Sequence, residues 1–387
     1  LARQLLAPPR AIAAQPVRRG ERGATPLVFY SQVAWDTVWQ RPQEQALGLA
    51  KHRPVVFVGP VQLHEHALRL RKRWEFVRTF EEGRLVVLSP LILSGEYRAA
   101  PIRRINRSII WQALKPYIPA KPFHFLTNTP FVPWLAERLQ PYRVFWDLID
   151  DFCAFEWSPP DSRRLEAELL RHCDGAFAGT GALRDRYERF FPSLPYLASG
   201  VQFERLTEPV PEPEALRGLP RPRLLYIGTL NDRLDGSLFA AAARACPQGS
   251  VVVVGPKHAT FRAPQLPQNV HFLGLQPHQA LPGFLQHTDL GLMPFADSPA
   301  AHAINPIKTL EYLACGLPVL STPVPDVVRY YPGVVRTEKP HRWEEAAGEL
   351  LAGDSPSERQ KRVDFARERT WDRLVQAMEE TLREYDP

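Results

Sequence analysis

At 387 residues the chain exceeds the size at which a single core stops growing, and its 44% hydrophobic and 23% charged residues are those of a packed globular protein, excluding the disordered and fibrous classes. No apolar run reaches the roughly 18 residues that cross a bilayer, and Leu1 to Gly23 interleaves Arg, Pro and Ala without the apolar stretch of a signal peptide. The formal charge of +6 is uneven: residues 1–200 hold 28 Lys/Arg against 19 Asp/Glu, and residues 201–387 hold 20 against 23, or +9 and −3.

The expected organisation is a flexible tail over 1–23, a domain over 24–200, a linker over 201–222, a second domain over 223–366 and a closing helix over 367–387. In the first domain, Leu27–Tyr30, Pro54–Gly59, Leu85–Leu88, Phe123–Leu126 and Arg143–Asp147 read as buried strands, with a helix at about Gln43–Lys51. The linker is inferred from Glu208–Pro213 and Pro220–Pro222, because proline stiffens the chain and removes backbone donors. Beyond it, apolar runs at Arg223–Gly228, Ser250–Val254, Asn269–Gly274, Asp289–Pro294 and Pro318–Ser321 alternate with helical stretches at Ser237–Ala245, Pro277–His287 and Pro306–Cys315. Runs apolar on both faces that alternate with helices predict parallel sheets covered on both sides, so the fold class is α/β with two doubly wound, Rossmann-like domains.

Cys153, Cys173, Cys246 and Cys315 are too dispersed for a metal or disulfide framework, and reduced thiols in a cytoplasmic protein are expected. His64-Glu65-His66 has the wrong spacing for a helical zinc pair, so no metal site is expected. Nucleic-acid motifs are lacking, leaving an anionic membrane or an anionic substrate as partner for the cationic half. Two basic stretches stand out there: Arg69 to Trp74, and Ile102 to Trp111. In the latter, Ile102, Ile105 and Ile109 share a helical face beside Arg103, Arg104 and Arg107, as in a helix packed on the core with a solvated outer face, the favoured reading, or one that lies on an anionic leaflet.

The segment Asn305-Pro306-Ile307-Lys308-Thr309-Leu310-Glu311 carries the sharpest chemical signal. Asn305 suits a helix N-cap and Pro306 the first helical position. Lys308 then falls in the first turn, where a cation opposes the helix dipole unless an anion such as a diphosphate neutralises it. Glu311 shares its face and could accept both hydroxyls of a ribose, or simply pair with Lys308.

The run Asn305 to Val319 resembles the donor-binding helix of retaining GT-B glycosyltransferases of the family 4, group 1 type. Asn269–Gly274, Asp289–Pro294 and Tyr226–Arg233 follow in that family's order. Trp39–Gln43 and Trp146–Phe152 resemble a bacterial subgroup that includes the teichuronic-acid-synthesis glycosyltransferases. The resemblance implies two domains facing across a cleft and transfer from a UDP- or GDP-sugar, with retention and without a metal cofactor, to a saccharide or lipid-linked acceptor in cell-envelope or exopolysaccharide synthesis. It implies donor contacts from Gly228, Thr229, Arg233, Asn305, Pro306, Lys308 and Glu311. On the acceptor side, Asp147, Asp150 and Asp151 follow a strand and could orient a hydroxyl. Arg41 could approach the diphosphate, and Gln40 and Gln43 flank it. The sequence departs from the family at Ala303, where the pattern has a Glu, so the contact to the sugar falls to another residue such as Asn305 or Asp297. A nucleotide-sugar epimerase of the same fold and a binding protein without catalysis are the alternatives.

Overall fold

The computed structural model describes residues 24–36, 39–63, 76–97, 99–155, 157–302 and 304–387. The N-terminal tail, the basic run Arg69 to Trp74, the His64–His66 triplet and Ala303 lie outside the described residues. The chain divides into two compact units, and the first is discontinuous: residues 1–179, 183–197 and 375–387 form one, and residues 180–182 and 198–374 the other.

In the first unit, β1 (Leu27–Tyr30), β2 (Val55–Val58), β5 (Leu85–Leu88), β7 (His124–Thr127), β8 (Arg143–Leu148) and β9 (Gly175–Ala178) pair in parallel. With the antiparallel edge strand β4 (Val77–Phe80) they form a seven-stranded sheet of order β4-β5-β2-β1-β7-β8-β9, and β3 (Val61–Gln62) pairs separately with β6 (Leu91–Ile92). Every residue of β1, β2 and β5 is buried, as expected of strands covered on both faces. Helix α1 (Arg41–Ala50) opens with Pro42 in its first turn, and the Gln40 N–H donates to Gln43 Oε1 at 3.2 Å. Helices α2 (Ala100–Leu114), α3 (Pro133–Leu139) and α4 (Ser162–His172) flank the sheet. The buried face of α2 is set by Asn106, Ile110 and Leu114, and Ile109 packs on the core. Of the three isoleucines expected to share one helical face, Ile105 alone is open, at 47% exposure.

The second unit is a six-stranded parallel sheet of order β12-β11-β10-β13-β14-β15. Its strands are β10 (Arg223–Ile227), β11 (Ser250–Val254), β12 (Val270–Gly274), β13 (Leu290–Met293), β14 (Val319–Ser321) and β15 (Arg336–Thr337). Helices α5 (Phe203–Thr207), α6 (Ser237–Ala245), α7 (Lys308–Ala314) and α8 (Trp343–Gly353) belong to it. The stretch 201–222, expected as a linker, is part of this unit. Leu206 and Leu216 are buried in its core, and apolar burial outweighs the proline content there.

Helix α9 (Trp371–Arg383) passes from the second unit into the first after Leu374. In the first unit its Val375, Met378 and Leu382 are buried, and a Cβ on Gly48 of α1 would stand 2.5 Å from a Val375 methyl, so glycine is required there. Arg53, fully buried, donates to both oxygens of Glu379 at 2.7 and 3.0 Å. Among the described residues no helix is long and apolar enough to cross a membrane.

Candidate functional site

The strand order of the second unit reverses between β10 and β13: β11 and β12 follow β10 on one side, and β14 and β15 follow β13 on the other. At such a switch point the connecting helices leave in opposite directions and open a crevice at the carboxyl ends of the strands. The β10–β13 ladder runs only through Leu224–Leu290 and Leu225–Gly291. Beyond it the Ile227 N–H donates to Tyr312 Oη at 2.9 Å. Tyr312 lies in α7, fully buried, with its ring against Gly291, where a Cβ would stand 2.6 Å away. Burial drives its phenol well above the ordinary value despite the opposing Ile227 N–H, so it stays neutral.

The loop after β10 is clamped on both flanks. Toward β11, Gly228 N–H donates to Val254 O and Leu230 N–H to Pro256 O, each at 2.9 Å. Toward β13, Asp235 N–H donates to Pro294 O at 2.9 Å and Ala296 N–H to Arg233 O at 2.8 Å. At the tip, backbone faces backbone: a Cβ on Gly255 would lie 2.0 Å from Gly228 O, and one on Gly228 would lie 2.7 Å from Tyr226 Oη. These two glycines pack main chain on main chain into a strand-end shelf, and their N–H groups are taken by Val254 O and Gly274 O at 2.9 and 2.8 Å. Thr229 is exposed on it, and its carbonyl accepts the Tyr226 hydroxyl at 3.2 Å. Arg233, half-buried, is fixed through its N–H to Asn231 Oδ1 at 3.1 Å, and among the described residues no carboxylate pairs with its guanidinium.

Helix α7 begins at Lys308, with Ile307 rather than Asn305 at the cap position. Pro306 contributes its carbonyl to Thr309 N–H at 3.0 Å, tightening the first turn. Asn305 does not cap because its amide is spent elsewhere: Nδ2 donates to Asp326 Oδ2 and Oδ1 accepts from the Tyr331 hydroxyl, both at 3.1 Å. Asp326 is buried and also receives the Gly181 N–H. Lys308 and Glu311 pair at 2.7 Å with side chains 25% and 15% exposed. His278, not singled out in the sequence, stands within electrostatic reach of that pair. Its pKa is lowered by burial, then by Arg205 and Lys308, with Glu311 opposing, and the Pro277-His278 turn after β12 is the only signal that could have found it. Asp297 is almost fully exposed and pairs with His302 at 2.8 Å.

In the first unit Arg41 is turned inward. Nε and Nη2 grip Asp147 at 2.9 and 2.6 Å, and Nη1 donates to Leu197 O at 2.6 Å. Gln45 Nε2 adds a third hydrogen bond to Asp147 at 2.8 Å, so this buried pair is satisfied within the unit. Gln43 is buried with its amide on the Ala34 and Trp35 carbonyls. Asp151 receives Arg186 at 2.6 Å and Arg163 at 3.4 Å. Asp150 stands half-buried in the bend between the Asp147 pair and Asp151.

Residues 221–353 match the family described as glycosyl transferases group 1. A 228-residue stretch is 23% identical to a curated protein of Bacillus subtilis (strain 168) named for teichuronic acid biosynthesis, the glycosyltransferase TuaH; the match spans 53% of this chain and 56% of that relative. Among solved structures, HepE from Anabaena in complex with UDP and glucose superimposes with a TM-score of 0.68 at 12% identity, over 93% of this chain and 100% of that one. An E. coli trehalose-6-phosphate protein bound with UDP-2-fluoro glucose gives 0.68 at 11% identity, over 92% and 99%. WaaG, a glycosyltransferase of lipopolysaccharide biosynthesis, gives 0.61 at 16% identity, over 92% and 99%. The fold is GT-B.

Proposed function

We propose that this GT-B chain, whose second unit is a group 1 glycosyltransferase domain, transfers a sugar from a nucleotide-sugar donor to a hydroxyl of a saccharide or lipid-linked acceptor, with retention, in cell-envelope or exopolysaccharide synthesis. The observation that carries the reading is the switch-point crevice of the second unit, where the loop that carries Gly228 also carries Arg233, which no carboxylate among the described residues pairs, and where α7 presents the Lys308–Glu311 pair. A diphosphate fits that crevice. Arg233 and Lys308 supply positive charge, which removes the need for a metal, and Glu311 accepts the ribose hydroxyls. UDP is favoured over GDP because solved neighbours of the same fold hold UDP or UDP-glucose. Thr229 and Pro306 line the seat through backbone groups. The sugar end rests on Asn305 or Asp297 in place of the family Glu, with Asn305 held in place by Asp326 and Tyr331.

Retention follows if the acceptor hydroxyl attacks the anomeric carbon on the face that the diphosphate leaves. The bond from that carbon to the phosphate oxygen breaks, the new bond to the acceptor oxygen forms, and the acceptor proton passes to the departing oxygen. Asp150 and Asp151 orient the acceptor, and Arg41 contributes by fixing Asp147 near the end of the strand that leads into them. In a calorimetric titration of the full chain with UDP, Lys308→Ala and Glu311→Ala should each weaken binding about tenfold, the loss of one charge-assisted contact, without lowering the melting temperature. Unchanged affinity in both would sink the site. Incubation with UDP-sugars should release UDP slowly; an epimeric sugar nucleotide as product would favour an epimerase instead.

An anionic membrane surface is the proposed partner of the first unit, at the cytoplasmic face. Arg104, Arg107 and Arg138 line a hollow of about 520 Å³ with Ser108, Trp134 and Glu137, and two of the guanidiniums lie over indoles, Arg107 on Trp134 and Arg138 on Trp111. Arg103 is paired with Asp161 at 3.0 Å and is not part of this surface. Cosedimentation with phosphatidylglycerol vesicles should be lost in Arg104→Glu/Arg138→Glu, and absence of cosedimentation by the parent chain would end the idea.

A further inference from the structure

Loops that follow β6, β7 and β8 bring five aromatic rings together in the first unit. Phe131 and Phe152 are buried and, with Leu165, form the base. Tyr97, Phe155 and Trp157 lie over them. Trp157 stacks on Phe155 with centroids 5.3 Å apart and planes 12° from parallel, and on Tyr97 at 6.1 Å and 27°. Phe155 and Trp157 are nevertheless 38% and 43% exposed. Next to them the Ser158 N–H donates to Phe155 O at 3.0 Å and the Ser158 hydroxyl to Phe152 O. The fringe of this platform is polar. The Tyr97 hydroxyl donates to Gln32 Oε1 at 3.2 Å, and the Gln32 N–H donates to Asn128 Oδ1 at 2.9 Å. Gln32 follows β1 and Asn128 follows β7, the two strands between which the first sheet reverses its order, and the loop that carries Asp150 and Asp151 leads into the rings.

We propose that Tyr97, Phe155 and Trp157 seat a pyranose ring of the acceptor, with its C–H face on the part of the Trp157–Phe155 stack left open to solvent and its hydroxyl rim toward Gln32 and Asp150. An aromatic face is electron-rich, and the C–H bonds of a sugar are polarised positive by the adjoining oxygens, so the two faces attract. A sugar needs both the flat apolar face and the hydrogen-bonding fringe. A phosphate would need cations, and among the described residues the nearby Arg103, Arg163 and Arg186 are already engaged by Asp161 and Asp151. An alkyl chain would use the rings and leave the fringe idle. The inference rests on the transferase reading and names its acceptor class: a glycoside rather than a bare lipid phosphate.

Saturation-transfer NMR on the full chain tests it, with octyl β-D-glucoside, octyl β-D-galactoside and octyl N-acetyl-β-D-glucosaminide as probes and octyl phosphate as the ring-free control. At least one glycoside should receive saturation on its ring C–H protons. Trp157→Ala should weaken that binding about tenfold and Trp157→Phe less than about threefold, because the phenyl ring retains a face for stacking. UDP affinity should be equal in all three proteins. Equal binding of octyl phosphate, no ring saturation from any glycoside, or unchanged glycoside binding in Trp157→Ala overturns the proposal. Should Trp157→Ala melt early, Phe155→Leu provides the same comparison on an intact fold. Failure of the parent chain to bind UDP is a different result and counts against the transferase reading alone.

Discussion

Gly255 is tightly confined at the strand ends of the second unit. A methyl group there would meet Gly228 O at 2.0 Å, and that oxygen belongs to main chain clamped to both neighbouring loops. Relief therefore requires the two strand ends to part. Gly255→Ala is expected to cost about 1–3 kcal/mol in denaturant melts, the range for overpacking a tight site, and to weaken UDP binding more than Lys308→Ala does. A variant with parental affinity would show that the shelf is not the phosphate seat. Lys308 and Glu311 were legible in the sequence because the relation between them is local. Asn305 was misread as a cap because its partners Asp326 and Tyr331 are 21 and 26 residues further along. Arg41 was harder still, since Asp147 lies 106 residues away and nothing in either neighbourhood announces the pairing.

At the scale of elements, continuous apolar runs located nearly all the buried strands, since a strand covered on both faces has no polar positions to interrupt it. The exceptions have physical reasons. β9 is Gly-Ala-Phe-Ala, buried throughout but too small in side chain to register as a strand, and Gly175 is constrained by the Phe145 ring 3.0 Å from where its Cβ would be. β4, Val-Arg-Thr-Phe, is a half-exposed antiparallel edge strand that mixes polar with apolar residues. The closing helix was expected, but its attachment was not. Arg53 and Glu379 are both buried and form a two-point hydrogen-bonded pair, and without Arg53 the Glu379 carboxylate keeps Arg383 alone, at 2.8 Å. Arg53→Met should therefore destabilise the first unit by about 3–5 kcal/mol in urea melts, and Arg53→Met/Glu379→Leu should recover much of the loss. Equal melts for parent and single variant would mean that the pair is not desolvated.

For the whole molecule, the consequence of this attachment is a first unit whose sequence is not contiguous. Two-domain length and the parallel sheets could both be read from pattern, because each depends on neighbours in sequence. The return of residues 375–387 to the first unit could not, because it depends on Gly48 leaving room for Val375 and on His124 Nε2 meeting Asp386 at 2.8 Å across most of the chain. Tyr385 closes the same seam, its ring edge-on to Phe145 with centroids 5.2 Å apart. Deleting 375–387 would expose Gly48 and the apolar ground beneath Val375 and Met378, and would strand Arg53 without Glu379. The second unit keeps its sheet and the crevice at its switch point, both of which lie before residue 375. The truncated chain should therefore be cut readily by protease within residues 24–197 while the fragment from about 198 resists and still binds UDP. A first unit that stays resistant after the deletion would show that its own strands suffice, and that the closing helix is an accessory to the fold rather than part of its core.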